Sequence, residues 1–278
     1  MPEGPEVRRE ADRIAAALVG LPLEEVEFGL PRLVKYARTL TGARVVELET
    51  RGKALLTHFD NDLTMYSHNQ LYGKWVVRRR GKLPATNRSL RVGLHTEKHS
   101  AVLYSASEIE ILERRLVEEH PFLRKLGPDV LSAALDWRQI ADRLQAPGFT
   151  GRSLASLYLD QGFLAGVGNY MRSETLHEAK LNPFVRAKAL SRGERGRLAR
   201  ATLLIAERAY EGAGVTNSPG RVRTLKRLGY TRRNYRFAAF ARDGLPCYHC
   251  GAEIQRIEVS ARRLYFCPSC QAAEPGEG

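Results

Sequence analysis

Two groups of residues in this 278-residue chain have the types and spacing to do chemistry. The first is a cysteine quartet: Cys247-Tyr-His-Cys250 and Cys267-Pro-Ser-Cys270 read C-x2-C, sixteen residues, C-x2-C, all within the last 32 residues. That spacing lets two tight turns aim four thiolates at one tetrahedral Zn²⁺ with a β-hairpin between them. Disulfides are disfavoured in a reducing compartment, and four sulfurs complete the site without His249. A closed four-thiolate site is structural, with no open position for a substrate. The hairpin presents Arg262-Arg263 beside Tyr265 and Phe266, a basic pair suited to phosphate and equally at home in solvent. The second group is Pro2-Glu3. If Met1 is trimmed, Pro2 carries a free secondary amine, and an α-amine with a pKa of about 8 is partly an uncharged nucleophile at neutral pH. Its attack on an aldehyde-like carbon gives an iminium, an electron sink for elimination, with Glu3 placed to move a proton. Taken alone, the same residues also fit a plain helix start, where proline and acidic side chains are favoured.

These groups must be held by larger elements. Residues 5–19 place Val7, Ala11, Ile14, Ala15 and Leu18 on one helical face, and Gly20 and Pro22 stop the helix. From about 24 to 105 the pattern turns to short β-rich runs at 44–48, 54–59, 63–66, 90–94 and 102–104, separated by Gly, Pro, Asn and Asp. These predict a sandwich or barrel with the first helix packed on it. After about 107 a helical period is expected again, from Ile109, Leu112 and Leu116 and then through Ile140, Leu144, Leu154, Leu157 and Tyr158, with Gly127-Pro128-Asp129 as linker. Helical signal runs to about Tyr210. Residues 211–240 then hold seven basic side chains, one acid (Glu211) and the aromatics Tyr230, Tyr235, Phe237 and Phe240. The tail 272–278 is expected to fray.

The charge balance narrows the partners. Lys and Arg number 44 against 31 Asp and Glu, a net +13, which favours a large polyanion, nucleic acid above all, although an anionic membrane surface shares that chemistry. A composition 43% hydrophobic and 27% charged excludes extensive disorder. No apolar run approaches the roughly 18–20 residues of a membrane span, and no basic-then-apolar leader opens the chain; a soluble, unexported protein is expected.

Five motifs occur in one order: Pro2-Glu3-Gly4-Pro5-Glu6-Val7-Arg8-Arg9, Thr50-Arg51-Gly52-Lys53-Ala54-Leu55-Leu56, Tyr66-Ser67-His68-Asn69-Gln70-Leu71-Tyr72-Gly73, Phe163-Leu164-Ala165-Gly166-Val167-Gly168-Asn169-Tyr170, and the four-cysteine finger. Over nearly its full length the sequence resembles the formamidopyrimidine-DNA glycosylase and endonuclease VIII family, most closely the bacterial endonuclease VIII branch. The resemblance implies an α+β chain of two domains: an N-terminal helix packed on an antiparallel β-sandwich, and a C-terminal helical domain with a helix-two-turns-helix element and a zinc-finger hairpin. Expected boundaries are 2–124 for the catalytic sandwich, 125–132 for the linker, 133–240 for the helical DNA-binding domain and 241–271 for the finger.

The resemblance also assigns roles. Pro2 matches the nucleophile that attacks C1′, expels the base and forms a Schiff base; Glu3 matches the adjacent carboxylate that handles protons. Lys53 matches a lysine that serves β-elimination and touches phosphate, and Arg262 the finger arginine that contacts phosphate and serves δ-elimination. Asn169 matches a phosphate-binding amide at a helix start. Gln70-Leu71-Tyr72 match a triad that fills the gap left by an extruded nucleotide, an extrusion that costs a few kcal/mol of unstacking. Lys125 stands where the branch usually carries a linker arginine on DNA, keeping the charge without the bidentate fork. Gly4 and the Gln70-Leu71-Tyr72 triad favour oxidised pyrimidines.

The implied activity is that of a bifunctional glycosylase and apurinic/apyrimidinic lyase with one structural Zn²⁺. Its expected partner is double-stranded DNA bearing oxidised bases or abasic sites, bound by a monomer in the bacterial cytoplasm and nucleoid. Alternatives are the same chemistry with purine preference and a non-catalytic zinc-dependent DNA-binding protein. The 211–240 segment departs from the branch in being longer and more basic.

Overall fold

Glu3 sits in extended backbone (φ −105°) as the cap of the first helix, α1 (Gly4–Leu18), and its N–H is accepted by Glu6 Oε2 at 3.2 Å while Pro5 occupies the first turn. The computed structural model describes residues 2–272; the expected loss of Met1 and the tail beyond Ala272 lie outside them. Between Lys125 and Leu126 the chain divides into two compact units.

In the first unit, α1 buries Val7, Ala11, Ile14 and Leu18. Eight strands follow: β1 (Glu25–Phe28), β2 (Val45–Arg51), β3 (Ala54–Phe59), β4 (Leu63–His68), β5 (Lys74–Arg79), β6 (Leu90–His95), β7 (His99–Tyr104) and β8 (Glu108–Glu113), with a short helix α2 (Ala37–Leu40) between the first two. They form two antiparallel four-stranded sheets, β1-β6-β7-β5 and β2-β3-β4-β8. Phe28, Leu55, Phe59, Met65, Trp75, Leu94, Leu103 and Ile111 share one core with the apolar face of α1. β3, inside its sheet, is buried along its whole length, and its polar His58 hydrogen-bonds Thr64 Oγ1 at 2.8 Å.

One expectation fails here. Residues 108–113 are not helical but form β8, paired with β4 in the register Ile109↔Ser67 and Ile111↔Met65. The period is two: Ile109 and Ile111 are buried while Glu108 and Glu110 face outward. Leu112 and Leu116 complete a helical spacing in the sequence, but Leu112 lies in the strand and Leu116 in the 3₁₀ turn, Arg114–Glu119, that follows it.

The second unit is helical: α3 (Trp137–Arg143), α4 (Leu154–Leu157), α5 (Asn169–Glu178), α6 (Arg192–Glu211), α7 (Pro219–Arg227) and α8 (Arg232–Tyr235). Asp136 and Ser191 cap α3 and α6 through reciprocal hydrogen bonds with Gln139 and Glu194. Ile140, Leu154, Tyr158, Phe163, Leu176, Leu198 and Ile205 belong to its core. α5 runs through the middle and is buried from Tyr170 to His177. Strands β9 (Gln255–Val259) and β10 (Arg262–Phe266) close the chain as a hairpin that packs Leu264 into the helical core. Its turn, Ser260-Ala261, takes φ +53° and +54°, the pair of left-handed residues that matches hairpin twist. No helix among the described residues is long and apolar enough to cross a membrane.

Candidate active site and zinc hairpin

In the first unit the sequence-expected residues collect on α1 and at one end of the β2-β3-β4-β8 sheet. Pro2 is half-buried and Glu3 is buried at the α1 cap. Lys53 is also buried and lies in the two-residue turn joining β2 to β3, where Arg51 pairs with Ala54 and Gly52 adopts φ +62°; glycine is what admits that conformation without strain. Ala54 pairs with His68, and His68 with Glu108, so the Lys53 turn borders the end of β4. Burial lowers the His68 pKa, Glu108 opposes that and the Lys53 charge adds to it. A neutral His68 is what its geometry asks for, because Nδ1 accepts the Gln70 N–H at 3.0 Å. Immediately beyond, Gln70 is half-buried while Leu71 and Tyr72 are 59% and 69% exposed. Lys125 is exposed at the end of a 3₁₀ turn, Leu123–Lys125.

In the second unit, Asn169 opens α5 after a loop shaped by its own hydrogen bonds. Gln161 Nε2 donates to Val167 O at 2.8 Å, Arg143 donates to the carbonyls of Phe163 and Gly162, and Gly166 takes φ +93°. Arg172, one turn along α5, joins Asn169 to the hairpin. Its fully buried guanidinium donates to Asn169 Oδ1 at 2.8 Å, Ala155 O at 3.0 Å and Arg263 O at 3.1 Å. Asn169 thus stands at the first residue of α5 with Oδ1 engaged by Arg172; helix N-termini favour anions. Tyr265 N donates to Ser173 Oγ at 3.3 Å, a further tie between α5 and β10, and Arg262 and Arg263 are exposed at the start of that strand.

The four cysteine sulfurs lie within 4.8 Å of one another, with Cys247–Cys270 at 3.9 Å and Cys250–Cys267 at 3.4 Å. Tetrahedral Zn–S bonds of about 2.3 Å put sulfurs about 3.8 Å apart, so the quartet fits one zinc. Burial alone would raise the Cys247 thiol, but the His177 ring at 3.5 Å and the backbone N–H groups of His249 and Cys250 hydrogen-bond its sulfur and bring it down to about 5. His249 lies beside the His177 ring, 5.8 Å between centroids.

Several residues of consequence carry no motif. Arg172 is one. Glu174, also fully buried, accepts the N–H groups of Ala238, Ala239 and Phe240 at 2.8 Å each and the Thr216 hydroxyl, which pins the chain entering the zinc hairpin. His177 and Glu10 are others, and Asn69, although inside the Tyr66–Gly73 motif, has no role assigned by the sequence. The only sequence signal for Arg172 and Glu174 is their position inside a helix flanked by apolar loop and hairpin. The 211–240 segment forms α7 and α8, and residues 226–233, from the end of α7 into the start of α8, are all exposed, Leu228 and Tyr230 included.

Comparison with known proteins agrees with this architecture. Residues 1–107 match the formamidopyrimidine-DNA glycosylase N-terminal domain, 126–219 its H2TH domain and 244–273 the zinc finger found in FPG and IleRS. Proteins named Endonuclease 8 from Shigella sonnei and from Escherichia coli O9:H4 are 46% and 47% identical over 271 residues, 98% of this chain and all of theirs. Among solved structures, a Lactococcus lactis Fpg in complex with abasic-site DNA has a TM-score of 0.81 at 22% identity, and one in complex with oxidised-pyrimidine DNA 0.80 at 23%; each comparison covers 98% of this chain and all of the other. By full-length identity and by all three domains, this chain belongs to the formamidopyrimidine-DNA glycosylase and Endonuclease 8 family.

Proposed function

We infer that the protein is a DNA glycosylase and apurinic/apyrimidinic lyase that repairs oxidised bases in double-stranded DNA. The observation that carries the reading is the cap of α1, where a half-buried Pro2 adjoins a buried Glu3 in a chain 47% identical to Endonuclease 8 over its length. Once Met1 is removed, the Pro2 nitrogen lone pair attacks C1′, the C1′–base bond breaks and the base leaves with a proton routed through Glu3; the nitrogen then loses its own proton, and the C1′–O4′ bond opens with O4′ taking a proton, which leaves the iminium. The iminium then withdraws electrons while the C2′ proton is lost and the 3′ C–O bond breaks, with Lys53 as the charged partner at that phosphate. Arg262 serves the second, 5′ elimination, which makes the strand cut a β,δ-elimination. Asn169 and Lys125 hold phosphates, and Gln70, Leu71 and Tyr72 occupy the space vacated by the flipped nucleotide. Cys247, Cys250, Cys267 and Cys270 hold one zinc that supplies rigidity to the hairpin and no chemistry.

Oxidised pyrimidines are the favoured lesions. Gly4, in place of a bulkier apolar side chain next to Glu3, and the Gln70-Leu71-Tyr72 triad support this, as does the relatives' name. The enzyme acts as a monomer in the cytoplasm, where its DNA is. Borohydride trapping on duplexes containing 5,6-dihydrouracil, thymine glycol or an abasic site tests the nucleophile: wild type forms a covalent adduct and Pro2→Gly traps poorly. Absence of an adduct from protein shown by intact mass to lack Met1 refutes it. Faster release of 8-oxoguanine opposite cytosine than of dihydrouracil overturns the pyrimidine preference.

A further inference from the structure

Leu71 and Tyr72 stand on a base with little freedom. Asn69 is buried; its carbonyl accepts the Gly73 N–H at 2.7 Å and its side-chain Nδ2 donates to Glu10 Oε2 at 2.6 Å. A Cβ at residue 73 would fall 2.5 Å from the Asn69 carbonyl oxygen, so only glycine permits this return. Gln70 is left-handed at φ +49°, with its N–H on His68 and its Oε1 accepting from Ser107 Oγ at 2.7 Å. Arg88 donates to Tyr72 O at 2.7 Å. Those contacts tie the loop to strands and their connections, whereas the Asn69–Glu10 bond ties it to α1. Glu10 lies seven residues beyond Glu3, about two turns or 10 Å along the helix.

We propose that Glu10, acting through Asn69, is a positioning residue that fixes the Gln70-Leu71-Tyr72 loop relative to the end of α1 bearing Pro2 and Glu3, so that insertion of the loop delivers C1′ to the amine. The inference rests on the reading of Leu71 and Tyr72 as gap-fillers. A polar pair reaching from the half-buried Glu10 on the helix to the buried Asn69 in the loop specifies one register where apolar packing would allow several. Burial raises the Glu10 carboxyl to about 7, with the Asn69 hydrogen bond and Arg13 opposing; Oε2 can accept the Asn69 bond in either protonation state, so the tie survives titration.

The test compares single-turnover release of dihydrouracil from a duplex with borohydride trapping at an abasic site in a single strand, where no stacked neighbour has to be replaced. Glu10→Ala and Asn69→Ala lower the ratio of duplex to single-strand rates about tenfold, and Glu10→Gln, which keeps an acceptor oxygen, restores it to within about twofold. Leu71→Ala and Tyr72→Ala are the controls on the underlying reading: if they leave the ratio unchanged, the gap-filling role itself fails. If they lower it and Glu10→Ala does not, the positioning role is overturned. Equal losses on both substrates, accompanied by a fall in melting temperature, also overturn it, because they describe a general loss of structure.

Discussion

Replacing Arg172 by methionine removes the guanidinium's hydrogen bonds at once, the three shortest among them at 2.8–3.1 Å, while keeping most of the side-chain volume. The guanidinium donates to Ala155 O, Asn169 Oδ1 and Arg263 O at 2.8–3.1 Å from a position with no solvent exposure. Stranding a buried acceptor costs about 1–3 kcal/mol. The Ala155 carbonyl, in a fully buried residue, takes the upper part of that range; Asn169 is half-buried and Arg263 exposed, so water recovers much of theirs. The sum is about 4 kcal/mol, and relief from burying a charge returns roughly 1. At about 2–4 °C per kcal/mol for a unit of this size, the melting temperature falls by about 6–12 °C. Arg172→Lys keeps the charge but reaches fewer of the acceptors, and falls about half as far. Calorimetry on the zinc-loaded protein measures both, and DNA affinity measured well below the transition adds the consequence of freeing the Asn169 amide, a weakening of several-fold. A methionine variant melting within about 2 °C of wild type refutes the claim that this guanidinium joins α5 to the hairpin.

The zinc site predicts that a strong chelator, or Cys267→Ser, removes one equivalent of metal. The β9–β10 hairpin melts with it, because structural zinc contributes about 10–16 kcal/mol to small metal-dependent folds; metal content by atomic absorption and far-ultraviolet circular dichroism check this. Glu10 predicts a pH dependence. Its folded carboxyl is raised from 4.5 to about 7 by burial, amid Asn69, Arg13, Glu6 and Lys74, so folding takes up a proton, and the favourable contribution is complete below about pH 4.5 and lost as pH rises through about 7. Glu10→Gln should therefore gain on wild type by about 2 kcal/mol between pH 4.5 and 8 in urea titrations, partial exposure discounted. Gly73→Ala should destabilise by about 2 kcal/mol, because its Cβ meets backbone at 2.5–2.9 Å rather than a movable side chain; a variant of unchanged stability refutes that packing argument.

Strong local signals were legible. β3 at 54–59 coincides with its β-rich run, α1 with its apolar stripe, and the cysteine spacing with four converged sulfurs. β8 was not, because Ile109, Leu112 and Leu116 satisfy a helical period as well as Ile109 and Ile111 satisfy a strand, and only pairing with β4 decides. β1 and β5 escaped because Glu-Val-Glu-Phe is short and Lys74–Arg79 carries three basic residues. The buried middle of α5 escaped for a deeper reason: Met-Arg-Ser-Glu-Thr-Leu-His reads as a half-solvated helix. Its polar groups are buried because three distant segments supply the carbonyls and N–H groups they satisfy, and those distances appear in no local pattern.

That arrangement also sets an order of events during synthesis. α5 leaves the ribosome long before residues 238–240, which cap Glu174, and before Arg263, whose carbonyl Arg172 holds across 91 positions. Until the last cysteines are made and metallated, the middle helix of the second unit has charged groups it cannot bury. The first unit, whose sheets need nothing beyond Lys125, can fold while the second is still being translated. A nascent chain released before Cys267 would thus carry a finished sandwich and an open helical half, a species for proteases to remove before it meets DNA.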